Sequence, residues 1–160
     1  MNKVSEALRW IANILNEHKI PWQITGGLAA RTYGATRPIN DIDIDIPEDR
    51  FEAILNNVRP YIVEGPARTD NPVWDVYGLY LEYNGQEIDI GGAHETRIKD
   101  LKTGLWHHVK TDLSKAEPKI LFGISVPVVD KQDLIEYKQH LAMPGNHHEQ
   151  DIQEMLASAV

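Results

Sequence analysis

Residues Asp41 to Ile46 read Asp-Ile-Asp-Ile-Asp-Ile, a strict alternation of an acid with a branched apolar residue. A period of two belongs to a β-strand, where successive side chains point to opposite faces. The isoleucines therefore face a core, and Asp41, Asp43 and Asp45 share the other side, about 6–7 Å apart along the strand. Like charges so arranged repel, and aspartate is disfavoured in strands, so the pattern asks for a compensating cation. Oxygen-only donors suit a hard divalent ion such as Mg²⁺. Two other readings of the six residues stand beside this one. A strand at the surface can carry an acidic outer face with no ligand. Asp41, Asp43, Asp45 and Glu52 also fall at the acidic positions of an EF-hand-like calcium loop. That count fails mechanically, because the turn position that needs glycine is Ile46, followed by Pro47, and the isoleucines demand a strand.

The flanking sequence places this strand among other elements. Val4, Leu8, Ile11 and Leu15 recur on one helical face, which predicts an amphipathic helix ending near His18. Trp22 to Thr25 is a short apolar run stopped by Gly26-Gly27, and LAARTY after it has helix-forming composition up to Gly34. Strand, glycine turn, helix is the reading, and bare backbone at such a turn can approach a phosphate, although a tight turn alone also explains it. Pro47 is expected to open a second helix, with Phe51, Ile54, Leu55 and Val58 as its buried stripe. VYGLYLEY and QEIDIG flank Asn84-Gly85, a hairpin signal that puts Asp89 on a strand. Ala93 to Lys119 shows no clear period, whereas KILFGISVPVV suggests another strand pair or an extended connection. Asp130 to Ala142 and His147 to Ala159 read as two helices split by Met143-Pro144-Gly145-Asn146. The expected fold is α+β (mixed α/β), a small sheet with packed helices. One domain, 1–160, is expected, with a sheet-containing core over 1–126 and a helical tail over 127–160.

Composition narrows the chemistry. With no cysteine, any metal must be held by oxygen or imidazole, and a cytoplasmic setting is expected. The formal net charge of −8 disfavours long nucleic acid as a partner, and the charged residues of the first segment exclude a signal peptide or membrane span there. The seven histidines include the pairs His107-His108 and His147-His148. Adjacent side chains usually point apart, so no metal is assigned to either pair, and His147 with Asp151 reads as a helix-surface contact. Trp74, Tyr77 and Tyr80 have faces on which a base or substrate ring can stack, although such residues more often serve core or hairpin packing, and the same weighing applies to Trp106.

The stretch ITGGLAARTYGATRPINDIDIDI, Ile24 to Ile46, resembles the nucleotidyltransferase superfamily, in particular small bacterial proteins similar to lincosamide and aminoglycoside nucleotidyltransferases. In that family a strand ends in Gly-Gly or Gly-Ser, a helix follows, and an arginine precedes the first acid of an Asp-x-Asp strand by four residues. Arg37 and Asp41 have that spacing, so the resemblance implies Asp41 and Asp43 as the metal pair and leaves Asp45 as an accessory or surface acid. It also implies a third carboxylate from a neighbouring strand, for which Asp89 fits and Glu87 is the fallback. The tail resembles the family more loosely, with Lys138 at a recurrent lysine and Asp151 at a closing aspartate, but His148 where an acid is common.

The resemblance implies transfer of a nucleoside monophosphate, AMP from ATP first among them, to a hydroxyl of a small molecule or protein. Asp41, Asp43 and Asp89 would hold two Mg²⁺ ions, with Asp89 an alternative general base. Gly26, Gly27, Arg37 and Lys138 would meet the nucleotide phosphates. A homodimer completing the acceptor cleft is a further expectation. The alternative is a noncatalytic member of the fold serving as a binding or regulatory module, for instance in a toxin–antitoxin pair.

Overall fold

The computed structural model describes residues 2–160. Helix α1 (Lys3–Glu17) is capped by Asn2, whose side chain accepts from the Ser5 backbone N–H at 2.8 Å. Leu8, Ile11 and Leu15 on its inner stripe are fully buried. Strand β1 (Gln23–Thr25), helix α2 (Gly26–Thr32), strand β2 (Asp41–Ile46) and helix α3 (Phe51–Val58) follow in the expected order. Two boundaries differ from expectation. Helix α2 begins at Gly26 itself, and Pro47 precedes a 3-10 turn, Glu48–Arg50, so the α-helix starts only at Phe51.

A strand not anticipated from sequence, β3 (Ile62–Asp70), pairs antiparallel with β4 (Trp74–Tyr83). Its sequence IVEGPARTD does not alternate, and the pairing shifts register between Ile62 and Glu64 and again between Glu64 and Ala67. Glycine and proline inside a strand mark such bulges. Strands β4 and β5 (Gln86–Gly92) form the expected hairpin, with Asn84 at φ 48° and Gly85 at φ 81°, the left-handed pair a two-residue turn requires. The stretch without a clear period contains a second hairpin, β6 (Thr96–Lys99) with β7 (Trp106–Val109). Strands β8 (Glu117–Leu121) and β9 (Ile124–Val128) form the anticipated pair. Helices α4 (Lys131–Leu141) and α5 (His147–Ala157) are capped by Asp130 and Asn146, each accepting from a backbone N–H three residues on.

These strands make one mixed sheet in the order β7-β6-β4-β5-β2-β1-β9-β8, with β3 beside β4. Strand β2 runs parallel to β5 and antiparallel to β1. Its isoleucines, Ile42, Ile44 and Ile46, are 0%, 1% and 0% exposed and sit in a core that extends from Ala7 in α1 to Met155 in α5. The architecture is α+β. Among the described residues no helix is long and apolar enough to cross a membrane.

Candidate active site

Burying the isoleucines leaves the aspartate face of β2 turned the other way, into a cavity of about 950 Å³. The floor is built by register. Parallel pairing sets Asp43 opposite Asp89 and Asp41 opposite Glu87, while antiparallel pairing sets Thr25 opposite Asp43 and Gln23 opposite Asp45. Asp41, Asp43 and Asp89 thereby bring carboxylate oxygens within 4.8 Å of one another, all three side chains half-buried. Glu87 is exposed and outside this group. A solvated acidic surface is thus not what β2 presents. Nor is there a calcium loop, since the residues form a regular strand and Glu52 lies on α3, exposed.

The electrostatics follow from this crowding. Burial, then the neighbouring charges of Asp41, Asp89 and Asp45, hold the Asp43 carboxyl well above the usual aspartate range. Burial, followed by Asp41 and Glu87, pushes Asp89 up to about 6. Burial also raises Asp45 to about 6, but a hydrogen bond from Gln23 Nε2 at 2.9 Å favours its ionised form and holds it aside. A cluster whose acids resist ionising together is one a cation would relieve. Three carboxylates form a hard, oxygen-only donor set, which fits Mg²⁺ and leaves softer metals no thiolate or imidazole in the group.

Gly26 and Gly27 have different surroundings. Gly26 sits at φ +64°, and a Cβ there would lie 2.1 Å from Asp43 Oδ2. Only glycine lets the start of α2 come this close to the carboxylate. At Gly27 the nearest atom to an added Cβ would be Arg37 Nη2, at an ordinary 3.6 Å. Arg37 is neither free nor at the surface in the usual sense: its Nε and Nη2 grip Asp151 at 2.7 and 2.8 Å. Lys138 Nζ reaches the same carboxylate at 3.0 Å, and Lys138 and Asp151 are 1% and 0% exposed. Burial lowers the Lys138 pKa while Asp151 opposes that shift. For Asp151 burial works upward, but the Arg37 bonds and the Lys138 charge win and bring it down. Sequence reasoning gave Arg37 and Lys138 to phosphates and did not reveal that Asp151 ties α5, α4 and the α2–β2 loop into one buried triad beside the cavity.

The remaining candidates divide cleanly. Trp74 and Tyr80 line the cavity, whereas Tyr77 packs edge-on against Phe51 at 5.0 Å in the core. Trp106 is 40% exposed with the Arg97 guanidinium 5.5 Å from its ring centre. The His147 and His148 rings meet with centres 3.9 Å apart and planes tilted by 41° at the cavity edge, and burial lowers His148 to about 3. Gln23 and Tyr137 are among the cavity residues missed from sequence. Gln23 shares the face of Thr25 by strand alternation, which is the signal that could have found it. Tyr137 stands next to Lys138 on a helix of weak amphipathicity and carried no such signal.

No protein-family model matches the sequence, and no curated protein matches it. Its structure is similar to that of a Thermotoga maritima protein thought to be a nucleotidyltransferase, with a TM-score of 0.69 and 22% identity over 88% of this chain and 87% of that one. It is also similar to the antibiotic-resistance factor ANT(2″)-Ia in complex with adenylyl-2″-tobramycin (TM-score 0.66, 18% identity, 98% and 89% of the chains). A third likeness is to the lincosamide antibiotic adenylyltransferase LnuA bound to lincomycin (TM-score 0.61, 13% identity, 95% and 96%). The fold is therefore that of the nucleotidyltransferases.

Proposed function

We propose that the chain transfers a nucleoside monophosphate, AMP from ATP, to a hydroxyl of a small molecule. The observation that carries this reading is the convergence of Asp41, Asp43 and Asp89, oxygens within 4.8 Å, on the floor of a cavity of about 950 Å³. Such a volume lies at the upper end of small-molecule pockets, so one chain has room for a nucleotide with an acceptor beside it. The proteins of like fold whose names record ligands are adenylyltransferases with lincomycin or adenylylated tobramycin, which supports a small hydroxylated acceptor over a protein. A second copy completing the cleft is not needed on grounds of space.

In this reading Asp41, Asp43 and Asp89 would hold two Mg²⁺ ions. When bound, these supply charge neutralisation of the triphosphate and of the developing negative charge at the transferred phosphorus. The chain's own residues do the rest. The alternative role for Asp89 is general base: with the ions on Asp41 and Asp43 alone, its carboxyl, raised to about 6 in the metal-free cluster, would accept the acceptor hydroxyl's proton, since a general base works best with a pKa near the operating pH. Gly27, in the first turn of α2, where an added Cβ would meet nothing closer than Arg37 Nη2 at 3.6 Å, offers its backbone N–H to phosphate oxygens, while Gly26 sets that turn against Asp43. Arg37 spends Nε and Nη2 on Asp151, and that bond fixes the guanidinium so that Nη1 presents a positioned donor to the polyphosphate. Lys138, buried against Asp151, adds positive charge behind that donor without needing to touch a phosphate. Trp74 and Tyr80 form an aromatic wall for a base or acceptor ring.

The test is labelled-nucleotide transfer from α-labelled ATP with Mg²⁺ to panels of aminoglycosides, lincosamides and cellular protein, with calorimetry of ATP binding alongside. Asp43→Asn should lower transfer by more than about 100-fold, since outer-shell partners of a metal alone are worth about 10–100-fold. Absence of ATP binding would sink the proposal. ATP binding without any labelled acceptor would favour the noncatalytic, regulatory reading of the same fold.

A further inference from the structure

The histidine pair on β7 does not act as a pair. His107 turns away from His108 and stacks on His140, from the last turn of α4, with ring centres 4.3 Å apart and planes 24° from parallel. Asp100, at the start of the β6–β7 turn, completes a group of three: one ligand atom from each of Asp100, His107 and His140 lies within 4.8 Å of the others. None of the three belongs to the carboxylate floor of β2. We propose that Asp100, His107 and His140 form a second cation site, one for a borderline transition ion of which Zn²⁺ is the best match.

Three features distinguish this group from a chance surface contact. The first is donor type. Two imidazoles and one carboxylate are a ligand set that Zn²⁺ takes with a fourth position open, and one that Mg²⁺ does not favour. The second is geometry. His140 Nδ1 and Asp100 Oδ2 are already 3.0 Å apart, while ligand atoms at about 2.0–2.1 Å from a tetrahedral zinc stand about 3.3 Å from each other. An ion taking the place of the hydrogen between them needs only a small spreading of that pair and a ring rotation of His107. The third is support. Asp100 Oδ1 accepts from the Lys102 and Thr103 backbone N–H groups at 2.8 and 3.1 Å, which orients the carboxylate and leaves Oδ2 as its coordinating oxygen. The Leu101 N–H donates to the His140 carbonyl at 2.9 Å, so backbone as well as side chain holds the turn against the end of α4.

The placement gives the ion a consequence. His140 lines the large cavity, and the β6–β7 hairpin supplies part of its wall through His108 and Val109. An ion bridging Asp100 and His107 to His140 would staple that hairpin to α4, the helix that carries Lys138 and Tyr137. His107 is the informative residue. A plain hydrogen-bonded clip needs only Asp100 and His140, whereas a cation site needs the third ligand.

The inference is independent of nucleotidyl transfer and is tested without it. In an Asp41→Asn/Asp43→Asn background, which disables the carboxylate floor, titration with Zn²⁺ followed by calorimetry should show one bound ion per chain. His107→Phe, which keeps a flat ring against His140 but has no nitrogen, should weaken that binding at least about tenfold, as should Asp100→Asn. If either variant loses its native circular dichroism, the double-Asn protein itself is loaded with Cu²⁺ and its electron paramagnetic resonance read for coupling to two imidazole nitrogens. No Zn²⁺ bound in the double-Asn protein, unchanged affinity in His107→Phe, or a Cu²⁺ spectrum without nitrogen coupling would overturn the proposal.

Discussion

Removing the Asp151 carboxylate should expose how the buried triad is held. Asp151 is 0% exposed and accepts at 2.7 and 2.8 Å from Arg37 and at 3.0 Å from Lys138, itself 1% exposed. In Asp151→Ala the Arg37 side chain, 22% exposed, can turn to water, but Lys138 cannot. An uncompensated buried charge costs about 3–5 kcal/mol. Lys138 has one escape, which is to shed its proton. From an unperturbed pKa of about 10.4, that costs about 4.6 kcal/mol at pH 7 and about 1.9 kcal/mol at pH 9, at about 1.36 kcal/mol per pH unit. The sign follows from linkage: the folded variant binds one proton fewer at Lys138 than the unfolded chain does, so its stability rises with pH until the unfolded lysine also titrates. Urea denaturation at both pH values should give a loss of about 3–5 kcal/mol at pH 7 that shrinks to about 2 kcal/mol at pH 9. At neutral pH the melting temperature should fall by about 6–20 °C, at about 2–4 °C per kcal/mol for a chain of this size. A loss under about 1 kcal/mol, or one that does not change with pH, would refute the triad as a buried charge network.

Gly26→Ala should destabilise by about 1–3 kcal/mol from left-handed backbone alone and displace Asp43, whereas Gly27→Ala should change stability by less than about 0.5 kcal/mol; thermal melts of the pair check this. Because Gly27→Ala keeps the fold, any loss of ATP affinity it shows by calorimetry reports close approach of a ligand to that backbone. The metal-free protein should lose stability as pH rises through the window from about 4 to about 6: Asp89 and Asp45, raised to about 6, keep protons that the unfolded chain releases near 3.9. For Asp89 this amounts to about 1–2 kcal/mol once solvent screening is allowed for. Mg²⁺ at 100 times its dissociation constant should restore about 2.7 kcal/mol at pH 7, read as a rise in melting temperature, and no response to Mg²⁺ would count against the carboxylate floor as its site. The lowered carboxylates, Asp151 among them, act in the opposite sense and below that window.

What could be read from sequence was what repeats within a few residues. The alternation of β2, the Asn84-Gly85 turn and the spacing of Leu8, Ile11 and Leu15 each carry a period or a turn signature in one short stretch, and each formed the expected element. The four-residue strands TRIK and WHHV offer too few positions for a period to show, and β3 hides behind Gly65-Pro66. Groupings made by tertiary contact carry no local signal; that of Asp89 with Asp41 and Asp43 came from the family resemblance and not from any period or turn. Lys138 reads as one polar residue among many on α4, and only the arrival of Asp151 from α5 shows why it is buried. His107 meets His140 only because β7 folds back beside the end of α4.

The repeat that makes β2 legible also makes its register ambiguous. A slip of one residue would send the isoleucines to the cavity and the acids to the core, which no stable packing allows. A slip of two preserves both faces and merely renames the acids, so hydrophobic burial cannot forbid it. Side-chain contacts specific to one register must do so. Gly26 leaves room for a carboxylate only where Asp43 sits, with Oδ2 2.1 Å from where a Cβ would stand. Gln23 donates to Asp45 at 2.9 Å, and Asp89 lies opposite Asp43 with Ile88 and Ile90 continuing the core beside Ile42 and Ile44. The glycine that opens α2 is therefore a register device for β2. The same contact that selects the strand's alignment selects which two of its three acids join Asp89, so fold and site are specified together.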